Sequence, residues 1–325
     1  MKSFLKMTTA AAVCAVAALA ASAPASADNH LPCRTAKLIV PWGAGGGTDV
    51  IFRIVAESIN KSGIKPTLQV VNVPGQGGNK GAKEAEKARP DGCTLFAVHQ
   101  SAITSYFTGR VNFTWAAFEP VALLTRTPPI IGAHPSVPYN NLKELISAAK
   151  AKPGTILTGA TLGSTSHFWF LLLEDAADIK LKYIPYDGTR QRMTALLANN
   201  IQLGEVNLAA TKKYLQTNEL KALAIYTDER EKDIPNVMTA KEQGIDLVAG
   251  TDRGVLAPKG TPAEALSFWA DAFEKAMKDP AVAQQMNAKG SLVVFKRGDD
   301  YNTYMTSTYD KWEAVAKKVG VYKRK

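Results

Sequence analysis

The sequence predicts an α/β protein of two lobes, each a mainly parallel sheet flanked by helices. Three observations carry that prediction. Short β-rich runs alternate with amphipathic stretches along most of the chain. The turns that follow the β-runs are rich in glycine and hydroxyl side chains. The length of 325 residues suits two medium cores better than one.

The elements follow in order. "KLIVPW", "TLQVVNVPG" and "CTLFAVH" are short, β-rich and bounded by Pro or Gly, so each reads as a strand. Between the first two lies "TDVIFRIVAESINKSG". Its apolar positions Val50, Ile51, Ile54, Val55 and Ile59 form a helical stripe. Thr48 or Asp49 is expected to cap its start and Gly63 to end it. "NKGAKEAEKARPDG" supplies a second helix before the third strand.

The pattern then repeats with new material. "PVALLTRTPPIIGAH" is an extended stretch broken by proline, and "NLKELISAAKAKPG" is a capped helix. "TILTGATLGSTSHFWFLLLEDA" and "LKYIPYDGTRQRMTALLANN" each read as strand, turn and helix, and "LKALAIYTDER" adds a strand. A long helix ("AEALSFWADAFEKAMKDP"), a shorter one, the strand "SLVVF" and a final helix close the chain. The chain crosses between lobes near residues 121–135 and again near 250–258. This gives one lobe from residues 28–125 and 252–325, and another from residues 126–251, with a cleft between them.

Residues 1–27 read as a signal peptide. Lys2 and Lys6 precede a short Ala-rich apolar run, and Ala25-Ser26-Ala27 is a small-x-small cleavage site. Cys14 sits mid-run with no leucine at the usual place before it, which argues against a lipid anchor. The expected location is the periplasm. No later stretch is apolar for long enough to span a bilayer.

Removing the two leader lysines from 39 Lys and Arg leaves 37 against 29 acids, a net charge of +8. The basic residues are interleaved with acids, and no nucleic-acid motif is present. The excess fits modest steering of anions. Cys33 and Cys93 each open a β-run, and strands that neighbour each other in parallel start at the same sheet edge. An oxidising compartment permits a disulfide between them; two free buried thiols are the alternative.

Four strand-to-helix turns carry the candidate chemistry. The first is "GAGGGTD", in which bare amides at a helix start form an anion site. It lacks the Gly-Lys-Ser/Thr of a nucleotide loop, and no G-x-G-x-x-G register fits it or "PGQGGNKGA". The others are "NVPGQGGNKGA", "TGATLGSTSHFWF" and "PYDGT". Ligands of open α/β sheets bind outside the carboxyl ends of the strands. The donors on offer are N–H, O–H and amide groups, which suit a carboxylate. His99 and Gln100, after the third strand, are further candidate polar groups, and Trp42 ends the first strand where it can line a cleft. Arg53 and Arg190 read as solvated or structural.

The blocks "LIVPWGAGGGTD", "VVNVPGQGGNKGA", "KARPDGCTLF", "GSTSHF", "IPYDGT" and "APKGTP" occur in that order. The chain thereby resembles the Bug family, the periplasmic solute receptors of tripartite tricarboxylate transporters. The resemblance covers nearly all of the chain after residue 27. It implies a two-lobed periplasmic-binding-protein (Venus-flytrap) fold, no catalysis, a small organic carboxylate as ligand, and membrane permease subunits as partners. It also implies that one carboxylate is held by the first and third loops, largely through two ordered waters. Carried over, those positions are Gly45, Gly46, Gly47, Thr48 and Asp49, with Thr161, Ser164, Ser166 and His167. Gln76, Asn79, Tyr186, Asp187 and Glu205 complete the candidate site.

The chain departs from the family pattern at Trp42, Cys93, Asp187 and Glu205. Two acids and a larger aromatic near the cleft favour an aromatic, larger or amine-bearing carboxylate over a small aliphatic diacid. Asp187 and Glu205 are expected to tune ligand choice, since a carboxylate repels a bound carboxylate. A monomer needing no cofactor and no metal is expected. Ser164 and Ser166 lie near His167, but there is no G-x-S-x-G elbow and no metal-ligand spacing. A receptor that signals to a membrane protein is the nearest alternative function, and a secreted hydrolase is a more distant one.

Overall fold

The computed structural model describes residues 31–324. The leader expectation, Cys14 included, lies outside the described residues. Two sheets form. The first is ordered β11-β4-β10-β3-β1-β2 and the second β7-β6-β8-β5-β9. In chain order the first half contains β1 (Thr35–Val40), α1 (Gly47–Lys61), β2 (Thr67–Asn72), α2 (Asn79–Glu86), β3 (Thr94–Val98), α3 (Ser101–Phe107), β4 (Phe118–Thr127), β5 (Ile130–Ala133) and α4 (Leu142–Ala151). Then follow β6 (Leu157–Ala160), α5 (Thr165–Ala177), β7 (Lys182–Pro185), α6 (Thr189–Leu197), β8 (Leu203–Val206), α7 (Leu208–Gln216) and β9 (Lys221–Ile225). The chain returns to the first sheet with β10 (Thr251–Pro258), α8 (Ala263–Lys278), α9 (Pro280–Ala288), β11 (Leu292–Arg297) and α10 (Gly298–Lys318).

The sheets are mixed, which corrects the expectation that they are mainly parallel. β1 pairs in parallel with β2 and β3, and β6 with β7 and β8, as strand–helix–strand units require. The strands next to the crossings run the other way. β10 is antiparallel to β3 and β4, and β5 to β8 and β9. Pro128 and Pro129 separate β4 from β5, where the chain leaves one sheet for the other. The two crossing strands pair with each other, from Phe118↔Pro258 to Thr127↔Thr251. The last of those pairs stands at the cleft.

One face of α1 is buried through Ile51, Phe52, Val55, Ala56 and Ile59, as its apolar stripe requires. Its cap differs from expectation. The N-cap is Gly46, and no side chain caps it, because Asp49 bonds to the loop instead. Behind the cleft, Trp312 of α10 stacks on Phe168 of α5 at 5.5 Å and meets Trp169 edge-on at 5.1 Å. The C-terminal helix thus joins the two lobes through buried aromatic rings.

Cys33 and Cys93 lie at the starting edge of the neighbours β1 and β3, with sulfurs 2.05 Å apart in a disulfide. Thiol titration of unfolded, unreduced protein lacking residues 1–27 should find no free thiol, and two after reduction. Two thiols before reduction would exclude the bond.

Candidate functional site

The carboxyl ends of strands from both sheets face one cavity of about 280 Å³. Three helices start at its wall: α1 with Gly46–Thr48, α5 with Ser164–Ser166 and α6 with Gly188–Arg190. The amides of a first helical turn have no intrahelical acceptor, and the aligned peptides place partial positive charge there. Convergence of three such ends makes the cavity a receiver of anions.

The loop before α1 is held from below. The Asp49 carboxylate accepts from the Gly45 amide at 2.9 Å, from Arg53 at 2.9 Å and from Asn72 at 2.9 Å. Burial raises the Asp49 pKa, but the hydrogen bonds from Arg53, Gly45 and Asn72 and the Arg53 charge together outweigh it and hold the pKa below its usual value. Gly45, at φ +78°, takes the left-handed turn, so glycine is needed there. Gly47 is needed for space. A Cβ on it would lie 3.1 Å from Asn207 Nδ2 and 3.3 Å from Arg253 Nη2. A Cβ on Gly46 would meet only the Gly43 carbonyl, at 3.2 Å. Gly47→Ala is therefore expected to weaken ligand binding by about tenfold, a loss of ~1.4 kcal/mol, with little change in melting temperature. Calorimetry beside circular dichroism tests it, and unchanged affinity would mean that the Gly47 edge does not face the ligand.

The charged centre is arginine. Arg253 of β10 is 5% exposed and lines the cavity. Its Nε donates to Thr48 Oγ1 at 3.1 Å and its Nη1 to Thr127 Oγ1 at 2.6 Å. Among the described residues it has no carboxylate in ion-pair contact. Burial pushes its pKa down to about 10, against the opposing pull of Glu205 and Asp252. It stays charged at neutral pH. Arg192 of α6, 2% exposed, is balanced instead: Nη2 meets Glu205 Oε2 at 2.5 Å, and Nη1 donates to Thr161 Oγ1 at 2.8 Å. The cavity therefore holds two buried cations and one buried anion.

His99 lines the same cavity, stacked on Trp42 with ring centroids 4.2 Å apart. The Ser101 amide donates to Nδ1, which leaves the proton on Nε2. Burial first, then Arg253 and Arg192, hold the imidazole pKa well below its usual value. His99 is thus a neutral donor. The lobes also touch directly. Gly77 N donates to Asp187 Oδ1 at 2.9 Å, and Arg190 Nη1 to the Ala44 carbonyl at 3.4 Å. Arg110 donates to the carbonyls of Gln76 and Leu162, one on each side of the cleft.

A family model described as the tripartite tricarboxylate transporter family receptor, TctC, matches residues 51–321. The chain belongs to this receptor family. Protein BugT of Bordetella pertussis is 28% identical over 311 residues, 94% of this chain and 95% of BugT. MatC from Rhodopseudomonas palustris, solved with bound malate, superposes with a TM-score of 0.80 at 27% identity, covering 87% of this chain and 99% of MatC. R. palustris Rpa4515, solved with adipate, gives 0.82 at 25% identity, covering 90% and 99%.

Within this receptor, ten of the residues singled out in the sequence meet at the cavity. Trp42, Gly46, Gly47, Thr48 and His99 come from one lobe, and Thr161, Ser164, Ser166, Asp187 and Glu205 from the other. The rest sit elsewhere, each for a local reason. Gly45 and Asp49 shape the loop from behind. Gln76 and Asn79 bond to one another at the outer rim, where the Asn79 amide donates to the Gln76 carbonyl. Gln100 is buried between the Gly250 carbonyl and the Asp252 amide, and braces β10. His167 accepts from the Gly163 amide through Nδ1 and packs edge-on against Tyr183, and burial pushes its pKa down to about 4. Tyr186 packs near Gly159, outside the first cavity. Arg53 is half exposed and pairs with Asp49, whereas Arg190 reaches the cavity wall.

Sequence reading missed Arg253, Arg192, Asn207, Thr127 and Thr251, all at the wall. One signal was available for Arg192. Glu205 stands in the apolar run "IQLGEVNL", and a buried acid calls for a buried cation.

Proposed function

We propose that this receptor binds one small organic acid between its lobes in the periplasm, does not transform it, and hands it to membrane permease subunits of a tripartite transporter. Arg253 carries the reading. A buried guanidinium beside converging helix starts, with no acid in contact, leaves a position that a ligand carboxylate fills. Relatives solved with malate and adipate support the ligand class. The cavity of about 280 Å³ suits a molecule at the small end of known ligands. The leader over residues 1–27 is the proposed route of export, and a monomer the proposed form.

Mechanism follows from which lobe supplies which donor. Arg253, His99 and the start of α1 belong to one lobe, and the starts of α5 and α6 to the other. The full donor set exists only when the lobes are closed, so a ligand favours closure by its differential affinity. About 5.5 kcal/mol of such difference moves a 1:99 equilibrium to 99:1. The closed surface is then what the permease reads. Calorimetry of ligand-stripped protein with malate, adipate, benzoate and glutamate tests the proposal. One-to-one binding of at least one acid is expected, with no product by mass spectrometry. Binding of none of these, and no acid among small molecules released from freshly purified protein, would overturn it.

A further inference from the structure

A second cavity, of about 390 Å³, shares Gly46, Gly47, Thr127, Asn207, Arg253 and, from α6, Thr189 and Arg190 with the first. It too lies between the lobes. Val50, Ile51, Lys289 and Ser291 form one side, and Met193, Leu197, Lys213 and Tyr214 the other. Its charge is one-sided. Arg190, Lys213, Arg253 and Lys289 line it, and no Asp or Glu does. Among the described residues none of these four cations is in contact with a carboxylate. Arg190 holds the Ala44 carbonyl, and the Lys213 ammonium sits 4.5 Å over the Tyr214 ring.

Exposed lysines over open solvent would need no explanation. Here one of the four, Arg253, is buried in the shared wall, with Nη2 facing the Gly47 edge. Like charges around one cavity repel, and burying one of them with no carboxylate in contact is costly. Both are relieved by an anion.

We infer that the second cavity is an oxyanion subsite that takes a second acid group, of carboxylate or phosphate type. The inference rests on the receptor reading, because Arg253 faces both cavities. Such a group would draw Lys213 of α7 toward Lys289 of the opposite lobe. Gly290 already packs on Leu208 there, with room for no Cβ. Occupancy would therefore favour the closed lobes, as any group does that binds the closed state better. The second acid group comes either from the far end of an elongated ligand or from a free inorganic oxyanion.

The test is calorimetry of wild type and the double variant Lys213→Ala/Lys289→Ala. Both side chains are exposed and lie outside the first cavity. The titrants are benzoate, adipate and inorganic phosphate. Benzoate should bind both proteins equally. Loss of phosphate affinity by about fivefold to tenfold, the worth of two exposed charge contacts, identifies a free oxyanion as the occupant. The same loss for adipate with none for phosphate identifies the ligand's own second acid group. Phosphate loss without binding of any carboxylate would sink the receptor reading and leave the subsite standing. Equal affinities of the two proteins for all three titrants would overturn the inference.

Discussion

Replacing Arg253 by methionine is expected to weaken carboxylate binding by about 3 kcal/mol, roughly a hundredfold, and to leave the melting temperature of the empty protein level or raised. The two halves of that result have one cause. Arg253 is 5% exposed and is held by hydroxyls of Thr48 and Thr127, not by an acid. A hydroxyl contributes a hydrogen bond, but it does not offset the desolvation of a cation. The empty site thus carries a cost that the ligand's carboxylate removes. Methionine fills similar volume without that cost, at the loss of three hydrogen bonds, to Thr48, Thr127 and the Thr251 carbonyl, of about 1 kcal/mol each. A guanidinium with a purely structural role would behave oppositely, with a large fall in melting temperature and little change in affinity. Calorimetry and a thermal scan on one preparation separate the cases. Unchanged affinity would mean that the carboxylate is held elsewhere.

Why Arg253 escaped sequence reading shows where legibility ended. β1, β2 and β3 are short apolar runs flanked on one side by Pro or Gly, and the stripe of α1 repeats at helical spacing. Those signals are local, so they can be read one element at a time. β10 offers no such signal. "TDRGVLAP" opens on two charges and ends on proline, yet all eight residues are buried. Its charges are tolerated because partners arrive from far along the chain. Asp252 pairs with Arg126 at 2.7 Å and accepts from Tyr304 at 2.5 Å, and Arg253 faces the cavity. The same distance effect hid the mixed sheets. Strand–helix–strand units announce parallel pairs, but the antiparallel pairing of β4 with β10 joins residues more than a hundred positions apart.

The candidate site divides along the same line. Gly46, Gly47 and Thr48 open a helix straight after a strand, and Thr161, Ser164 and Ser166 repeat the arrangement on the other lobe. Residues that serve by backbone amide or short hydroxyl are legible, because position relative to a strand end decides their role. Long side chains are not. His167 lies one residue from Ser166, yet turns away to the Gly163 amide. Arg190 and Arg192 lie two apart on α6, and one reaches out to Ala44 while the other reaches in to Glu205.

Glu205 sets the balance of the cavity, and Glu205→Gln is expected to reorder the ligands. The wild-type cavity holds Arg192, Arg253 and Glu205, a net of one positive charge from three buried groups. Glutamine keeps an oxygen that can accept from Arg192 but removes the negative charge. At a separation of about 7 Å and an effective dielectric of about 20, each unit of ligand charge then gains on the order of 2 kcal/mol. A dianion such as malate should gain roughly thirtyfold over benzoate, while the empty protein loses about 2–3 kcal/mol of stability because Arg192 is left buried beside a neutral partner. The sign separates two roles for this acid. If Glu205 excludes diacids by repulsion, malate improves most and glutamate, with one net negative charge, keeps step with benzoate. If it accepts a hydrogen bond from a ligand ammonium, wild type prefers glutamate and the variant loses that preference, because an amide oxygen holds an ammonium far less well than a carboxylate does. Calorimetry with malate, benzoate and glutamate on both proteins at pH 7 gives the ratios directly. Ratios equal within about twofold would place Glu205 in the wall as a partner of Arg192 alone, with no part in ligand choice.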